Sequence, residues 1–158
     1  MVFVFTTKKQ DCLLFGFANF VTSREEVYKQ IEYTMPKIGM TFTSETVVAL
    51  SNCAVTMGSG DLEVFATPAM VSLMENAAMN AVAPALPQGS TTVGAEMNTT
   101  HIKPSAIGAK VRATATLTDV EGRKLTFAVE AADEAGTIGK GTHVRFIVDK
   151  ERFMAKLG

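Results

Sequence analysis

The chain has 158 residues, of which 47% are hydrophobic and 20% charged, and its formal net charge at pH 7 is −1. This length allows one domain with a substantial core, and the near-neutral charge excludes the strongly basic surface that binds nucleic acid. Cys12 and Cys53 form neither a metal-ligand motif nor a disulfide framework, and no apolar run reaches the roughly 18 residues that span a bilayer, so we expect a cytoplasmic protein without a membrane partner.

The beginning of the chain is expected to be an N-terminal extension, residues 1–34, ahead of a domain that covers residues 35–158. Two lysines precede a short apolar run at residues 12–21, a pattern that resembles a signal peptide. The apolar segment before the lysines and the lack of a clear cleavage site argue against secretion. The extension is therefore interpreted as an added strand, a loosely attached tail, or residues upstream of the true start.

The first predicted strand is the Thr- and Val-rich run Met40–Val55, with a bend near Ser51 and Asn52. A loop rich in glycine and serine, Met57–Asp61, follows it. We expect this loop to be flexible, and it directly precedes the longest apolar segment of the chain.

That apolar segment, Phe65–Val82, predicts a central helix. Thr67 is suited to its N-cap and Pro68 to its first helical position. Apolar side chains cover most of the helix circumference, which indicates burial in a core. Glu75 lies among these apolar side chains, two turns or about 12 Å from Thr67. A carboxylate in such surroundings needs a partner or a function, because burying it unpaired costs several kcal/mol.

After a breaker cluster at residues 83–90, alternating patterns predict an antiparallel sheet. The predicted strands are Thr91–Ile102, Lys110–Val120, Lys124–Ala132 and Thr137–Asp149. In the last strand the predicted apolar face consists of Val144, Phe146 and Val148. One long helix and several antiparallel strands predict an α+β fold, a curved antiparallel sheet wrapped around one long central helix. A second copy can cover the strand edge and helix surface left open, so a homodimer is expected.

The candidate catalytic side chains lie on the helix and at a strand end. His101 ends a strand, where side chains often face a cleft, whereas His143 is interpreted as a structural hydrogen-bonding residue. Thr67 lies beside the free amides of a helix N-terminus, which can stabilise an oxyanion. Because Thr67 and Glu75 cannot touch within one helix, a shared substrate must be long or the site must lie between two subunits.

No sequence motif for phosphate-loop, dinucleotide, serine-hydrolase or zinc-protease sites is present, so neither a cofactor nor a metal is expected. Basic side chains on the predicted strands are solvated or contact the phosphates of a nucleotide-bearing ligand. They are Lys103, Lys110, Arg112, Arg123, Lys124 and Arg145.

Four segments together resemble the fluoroacetyl-CoA thioesterase-like family of hot-dog-fold acyl-CoA thioesterases, and the resemblance extends over about Met35–Leu157. The segments are Phe65–Glu75, Gly94–His101, Val120–Leu125 and Ile138–Arg145. The resemblance implies a hot-dog homodimer that hydrolyses an acyl-CoA thioester to a free acid and CoA.

The same resemblance implies a catalytic site of Thr67, Glu75 and His101, with Gly94 and Arg145 contacting the substrate. His101 acts as general base on Thr67 or on water, and Glu75 orients the water or attacks as a nucleophile. The residues alone do not decide whether Thr67 or Glu75 is the nucleophile.

The loop before the helix departs from the family pattern. An aromatic-rich lid occurs there in the fluoroacetyl-specific member, whereas this chain has Met57–Leu62. A short-chain or aromatic acyl-CoA is therefore the expected substrate. The alternatives are a non-catalytic module that binds acyl-CoA or another small ligand, and a hydratase of enoyl thioesters. Glu75 favours the enzyme, because a pure binding protein does not need it, and no acid-base pair with hydratase-like spacing is evident.

Overall fold

A computed structural model describes residues 35–158, and the compact unit within it begins at Pro36. The predicted extension, residues 1–34, lies outside the described residues. No helix in the described part of the chain is long and apolar enough to cross a membrane.

The described residues form a five-stranded antiparallel sheet with one long helix. In chain order the strands are β1 (Thr41–Val47), β2 (Ser90–His101), β3 (Lys110–Glu121), β4 (Lys124–Asp133) and β5 (Gly136–Asp149). Their order across the sheet is β1-β3-β4-β5-β2. Strands β3, β4 and β5 are joined by tight turns, of which the first contains Gly122 with φ 60°. The predicted α+β architecture is confirmed.

Three helices accompany the sheet: α1 (Ala54–Met57), α2 (Thr67–Val82) and α3 (Lys150–Met154). Helix α2 is the central helix and packs mostly against β1 and β3. Its buried side chains are Met70, Met74, Ala77, Ala78, Ala81 and Val82. Because these side chains cover most of one side of α2, the helix packs on one face of the sheet and the hydrophobic core lies between them.

The alternation predicted for β3 and β4 is confirmed. The buried residues of β3 are Val111, Ala113, Ala115 and Leu117, and those of β4 are Leu125, Phe127, Val129 and Ala131. Successive side chains of a strand point to opposite faces, so these eight residues all face α2. Small alanines opposite the helix let it approach the sheet closely.

Two predictions at other strands are wrong. On β5 the buried face carries His143 and Arg145, whereas Phe146 is 39% exposed, because the pleat turns the predicted apolar side chains away from the core. The strand predicted to reach Val55 ends at Val47; the chain then makes a 3-10 turn at Leu50–Asn52 and enters α1.

Strand β2 is an edge strand of the sheet. It pairs antiparallel with β5 on one side, and its register shifts between Gly94 and Glu96, where a bulge interrupts the ladder. Its other side has no strand partner among residues 35–158. A long unpaired edge of this kind is a template for pairing with another chain.

Candidate active site

Thr67 is the first residue of α2 and not its N-cap. The cap position is Ala66, whose backbone is extended (φ −73°, ψ 141°), and no side chain caps this end of the helix. The helical hydrogen bonds begin where the Met70 N–H donates to the Ala66 carbonyl at 3.0 Å. The predicted capping role is wrong because the Thr67 hydroxyl has a different partner. Pro68 takes the second helical position, where a missing N–H leaves no helical bond unmade.

The partner of Thr67 is His101, the last residue of β2. Thr67 Oγ1 and His101 Nδ1 lie 2.9 Å apart and form a hydrogen bond. The Phe65 N–H donates to the Ser105 carbonyl at 2.9 Å, which ties the segment before α2 to the segment after β2. The structure therefore brings two of the predicted catalytic residues into direct contact.

Burial sets the protonation of His101. It lowers the pKa of His101 below the ordinary 6.5, against a smaller raising effect from the backbone of Lys103, so the ring is neutral at pH 7. Its Nε2 is buried and has no hydrogen-bond partner among residues 35–158. If the ring proton is on Nε2, Nδ1 accepts the Thr67 hydroxyl, as a general base must.

A cleft of about 380 Å³ opens beside the Thr67 and His101 pair. Its apolar lining comes from the segment before α2 and the residue after β2, and consists of Ala54, Leu62, Val64, Phe65 and Ile102. Polar residues at the cleft include Asp61 and Lys103. A cleft of mixed polarity that carries a hydrogen-bonded polar pair suits a ligand with an apolar group and one reacting polar centre.

A larger depression, of about 820 Å³, lies on the face of the sheet opposite α2. Its lining includes Thr114, Arg112, Glu130 and Lys140. None of the predicted catalytic residues lines it. Chemistry therefore favours the smaller cleft, although the depression is larger.

Glu75 lies in a second cluster on the same helix, two turns or about 12 Å from Thr67. Its side chain is 42% exposed in the described chain, and its Oε1 lies 3.6 Å from His143 Nε2. A Cβ on Gly94 would lie only 2.5 Å from Glu75 Oε1, so the carboxylate rests directly against the Gly94 backbone. The structure does not bring Glu75 to Thr67 or His101 within one chain.

Beneath Glu75 lies the buried guanidinium of Arg145, which is only 6% exposed. It donates from Nε to Thr92 Oγ1 and from Nη2 to the Thr92 carbonyl, both at 2.8 Å, and its Nη1 lies 3.0 Å from His143 Nε2. These donors are directed into the protein. The predicted contacts of Arg145 and Gly94 with a substrate stay predictions.

Sequence reasoning did not connect His143 with Glu75. The available signal was that His143 and Arg145 are two residues apart on a strand and therefore share a face. The alternate residues Val144, Phe146 and Val148 are apolar, which suggested that their face of β5 was the buried one. The burial of His143 and Arg145 in the same face as the core shows that this interpretation of β5 was inverted.

Comparison with known proteins gives a consistent result. Residues 48–151 match the family described as fluoroacetyl-CoA-specific thioesterase. A fluoroacetyl-CoA thioesterase from Streptantibioticus cattleyicolor is 44% identical over 95 residues, which are 60% of this chain and 68% of that protein.

Solved structures extend the similarity to the fold. A crystal structure of a fluoroacetyl-CoA-specific thioesterase superposes with a TM-score of 0.73 at 36% identity, covering 78% of this chain and 96% of that one. A thioesterase superfamily member from Thermus thermophilus gives 0.71 at 30% identity, covering 78% and 93%. A hot-dog-like protein from Thermanaerovibrio acidaminovorans gives 0.70 at 26% identity, covering 76% and 89%. The predicted hot-dog fold is confirmed.

Proposed function

Because the chain belongs to the fluoroacetyl-CoA-specific thioesterase family and is a thioesterase, we propose that it hydrolyses acyl-CoA at a site shared between two subunits. Thr67 and His101 come from one subunit and Glu75 from the partner subunit. The 2.9 Å hydrogen bond between Thr67 and His101 at the wall of the cleft carries this proposal.

The first chemical step uses this hydrogen bond. Thr67 Oγ1 attacks the thioester carbonyl while His101 Nδ1 takes its proton, and the oxygen that becomes negative is stabilised by the free amides of the first turn of α2. The C–S bond then breaks, and the CoA thiolate leaves with the proton from His101. Water, deprotonated by the same ring, hydrolyses the Thr67 ester and regenerates the enzyme.

Glu75 supplies what His101 lacks. Within the described chain His101 Nε2 is buried without an acceptor, and an unsatisfied buried N–H costs about 1–3 kcal/mol. A carboxylate that approaches the ring from a second subunit stabilises the imidazolium that forms during the attack. Because Nε2 is closed off within the described chain, a direct bond to it requires the ring or its surroundings to shift when the subunits assemble. Glu75 of the same chain lies two turns away along α2, so the carboxylate is assigned to the partner subunit.

The open edge of β2 supports this assembly. If two copies pair their β2 edges antiparallel about a two-fold axis, the His101 end of one strand approaches the Ser90 end of the other. Gly94, against which Glu75 rests, lies in the half of β2 nearer Ser90. The pairing therefore moves each Glu75 towards the His101 of the other subunit.

The substrate we propose is a short-chain or aromatic acyl-CoA. The cleft of about 380 Å³ is near the lower end of small-molecule sites, which span about 300–1,000 Å³. Its apolar walls suit an uncharged acyl group. The loop ahead of α2 contributes Ser59, Gly60 and Leu62 to this cleft, none of them aromatic, so selection for fluoroacetyl over other acyl groups is not expected.

A panel of acyl-CoAs tests the proposal, with released CoA thiol followed by a chromogenic thiol reagent. The wild-type protein is expected to free CoA from short and aromatic acyl thioesters, and His101→Ala is expected to lose that activity while keeping the wild-type melting temperature within a few degrees. Substrate consumption without thiol release would indicate a hydratase. Binding without any turnover would indicate a non-catalytic module, and either result would overturn the proposal.

A further inference from the structure

A buried polar cluster under Glu75 has no part in the chemistry described above. It consists of Thr92, His143 and Arg145, together with the backbone carbonyl of Glu96. The three side-chain residues are 4%, 1% and 6% exposed, on a sheet face that is mostly apolar. Burying a guanidinium is costly unless it is paired and hydrogen-bonded, so this cluster needs an explanation beyond packing.

The contacts of His143 fix its protonation state. Its Nδ1 lies 2.7 Å from the Glu96 carbonyl, which can only accept, so the ring proton is on Nδ1. Its Nε2 then carries the lone pair and accepts from Arg145 Nη1 at 3.0 Å. Burial, and to a lesser degree the charge of Arg145, lowers the pKa of His143, while the Glu96 carbonyl and Glu75 oppose this. The ring is therefore neutral at pH 7.

A neutral ring of this tautomer cannot form an ion pair with Glu75. The 3.6 Å separation between Glu75 Oε1 and His143 Nε2 joins two acceptor atoms, and the hydrogen between His143 and Arg145 belongs to the guanidinium. His143 therefore stands between the positive charge of Arg145 and the carboxylate. Burial lowers the pKa of Arg145, and the charge of Glu75 opposes this effect through space.

We propose that His143 and Arg145 are positioning residues for Glu75, in which His143 holds the buried guanidinium close to the carboxylate but prevents a direct ion pair. This inference rests on the proposed function, because it assumes that the Glu75 carboxylate acts on His101 of the partner subunit. Arg145 supplies a fixed positive charge that attracts the Glu75 carboxylate. His143 and Thr92 take three of the five guanidinium N–H groups and hold them away from the carboxylate, so both carboxylate oxygens stay available to the partner subunit's ring.

The arrangement predicts different results for two substitutions of similar size. His143→Leu fills the space but offers no acceptor, so Arg145 Nη1 is expected to turn to the carboxylate of Glu75. Gln offers a carbonyl oxygen near the place of Nε2 and an amide donor, so Arg145 keeps its partner. Both variants remove the titrating ring, and only His143→Leu releases the guanidinium.

Steady-state kinetics with the best acyl-CoA of the panel test this difference. His143→Leu is expected to lower kcat by roughly 10²-fold, the cost of misplacing a catalytic group by about 1 Å, with KM changed by less than about threefold. His143→Gln is expected to recover at least about tenfold of that loss. Val111→Ala, a buried core change at the opposite end of β3 from the residues in register with His143, serves as the control: its melting temperature falls while its kcat stays near wild type.

Equal kcat values for the two position-143 variants, or a kcat that follows melting temperature across all three, would overturn the inference. A second measurement is independent of turnover. The chain has only two histidines, so a ¹⁵N-histidine NMR spectrum has two sets of ring signals. His143 is expected as the neutral Nδ1–H tautomer at pH 7, and an Nε2–H or doubly protonated ring would refute the arrangement. If the wild-type protein releases no CoA, the proposed function fails while this spectrum still tests the cluster.

Discussion

Adding a single methyl group at Gly94 tests whether the position of the Glu75 carboxylate matters for catalysis. The new Cβ of Gly94→Ala would lie 2.5 Å from Glu75 Oε1, whereas ordinary contact begins at 3.4 Å, so the carboxylate must move by about 0.9 Å. His143 Cε1, at 3.2 Å, must give by a few tenths of an ångström. Misplacing a reacting group by 1 Å can cost about 10²-fold in rate, or about 2.7 kcal/mol of transition-state stabilisation.

Stability is expected to change little in this variant. Gly94 does not have the left-handed backbone that favours glycine, and the atom it displaces is the end of a flexible side chain. Alanine in a strand interior is favoured over glycine by roughly 0.5–1 kcal/mol, which offsets part of the local crowding. Gly94→Ala is thus predicted to lower kcat about 10²-fold while the free energy of unfolding changes by less than about 1 kcal/mol.

A double-mutant cycle distinguishes an effect through Glu75 from a general effect on the cleft. Glu75→Gln alone and Gly94→Ala alone are each expected to be slow, and the double variant is expected to be no slower than Glu75→Gln. Thiol release from acyl-CoA gives kcat, and thermal unfolding gives stability. A wild-type kcat in Gly94→Ala, or losses that multiply in the double variant, would refute the reasoning.

Three further predictions concern Thr67 and the two histidines, His101 and His143. Thr67→Val is expected to lower kcat by about 10²–10³-fold. The free energy of unfolding should fall by only about 1 kcal/mol, because the variant loses one hydrogen bond and no helix cap. Thr67→Ser should recover most of the rate, and a fully active Thr67→Val in the thiol-release assay would contradict the role of the hydroxyl. Burial lowers the pKa of His101 within the described chain, whereas the carboxylate of Glu75 from the partner subunit opposes this in the assembled site. The kcat/KM profile is therefore expected to fall on the acid side with a midpoint that moves to lower pH in Glu75→Gln, and an unchanged midpoint would contradict a carboxylate beside the ring. Burial lowers the pKa values of both His101 and His143, so as the pH falls the unfolded chain protonates these two rings before the folded chain does. The free energy of unfolding measured with a chemical denaturant should therefore be highest above about pH 6.5 and should decrease as the pH falls below that value.

The strands were predictable where one face is apolar and the other polar. In β3 and β4 the period-two pattern assigns the buried side chains directly. In β5 it assigns the wrong face, because two strongly polar residues, His143 and Arg145, are buried with their hydrogen bonds satisfied by Thr92 and the Glu96 carbonyl. The alternation of polar and apolar residues along β5 cannot show that these hydrogen bonds form, because the partner groups lie on another strand.

The start of the central helix shows a second limit. Thr67 and Pro68 have the composition of a cap and first residue, yet Ala66 is the cap and the Thr67 hydroxyl binds His101. Local propensity yields here to a contact between residues far apart in sequence. Such a departure from the best local choice is common at functional sites.

The candidate site itself was only partly within reach of the sequence. Helix periodicity alone separates Thr67 from Glu75, and the strand-end position singles out His101. The contact between Thr67 and His101, and the cluster of His143 and Arg145 beneath Glu75, depend on how β2, β5 and α2 meet. Those contacts follow from the three-dimensional structure.

Complementation between two inactive variants tests the shared site most directly. Thr67→Val and Glu75→Gln, expressed separately, are each expected to be nearly inactive. When the chains are mixed and allowed to exchange, each mixed dimer has one site with both wild-type residues and one site with neither. The account predicts recovery of about a quarter of wild-type activity at random assortment. A mixture no more active than the two variants measured apart, with mixed dimers demonstrated by native mass spectrometry, would contradict a site shared between subunits.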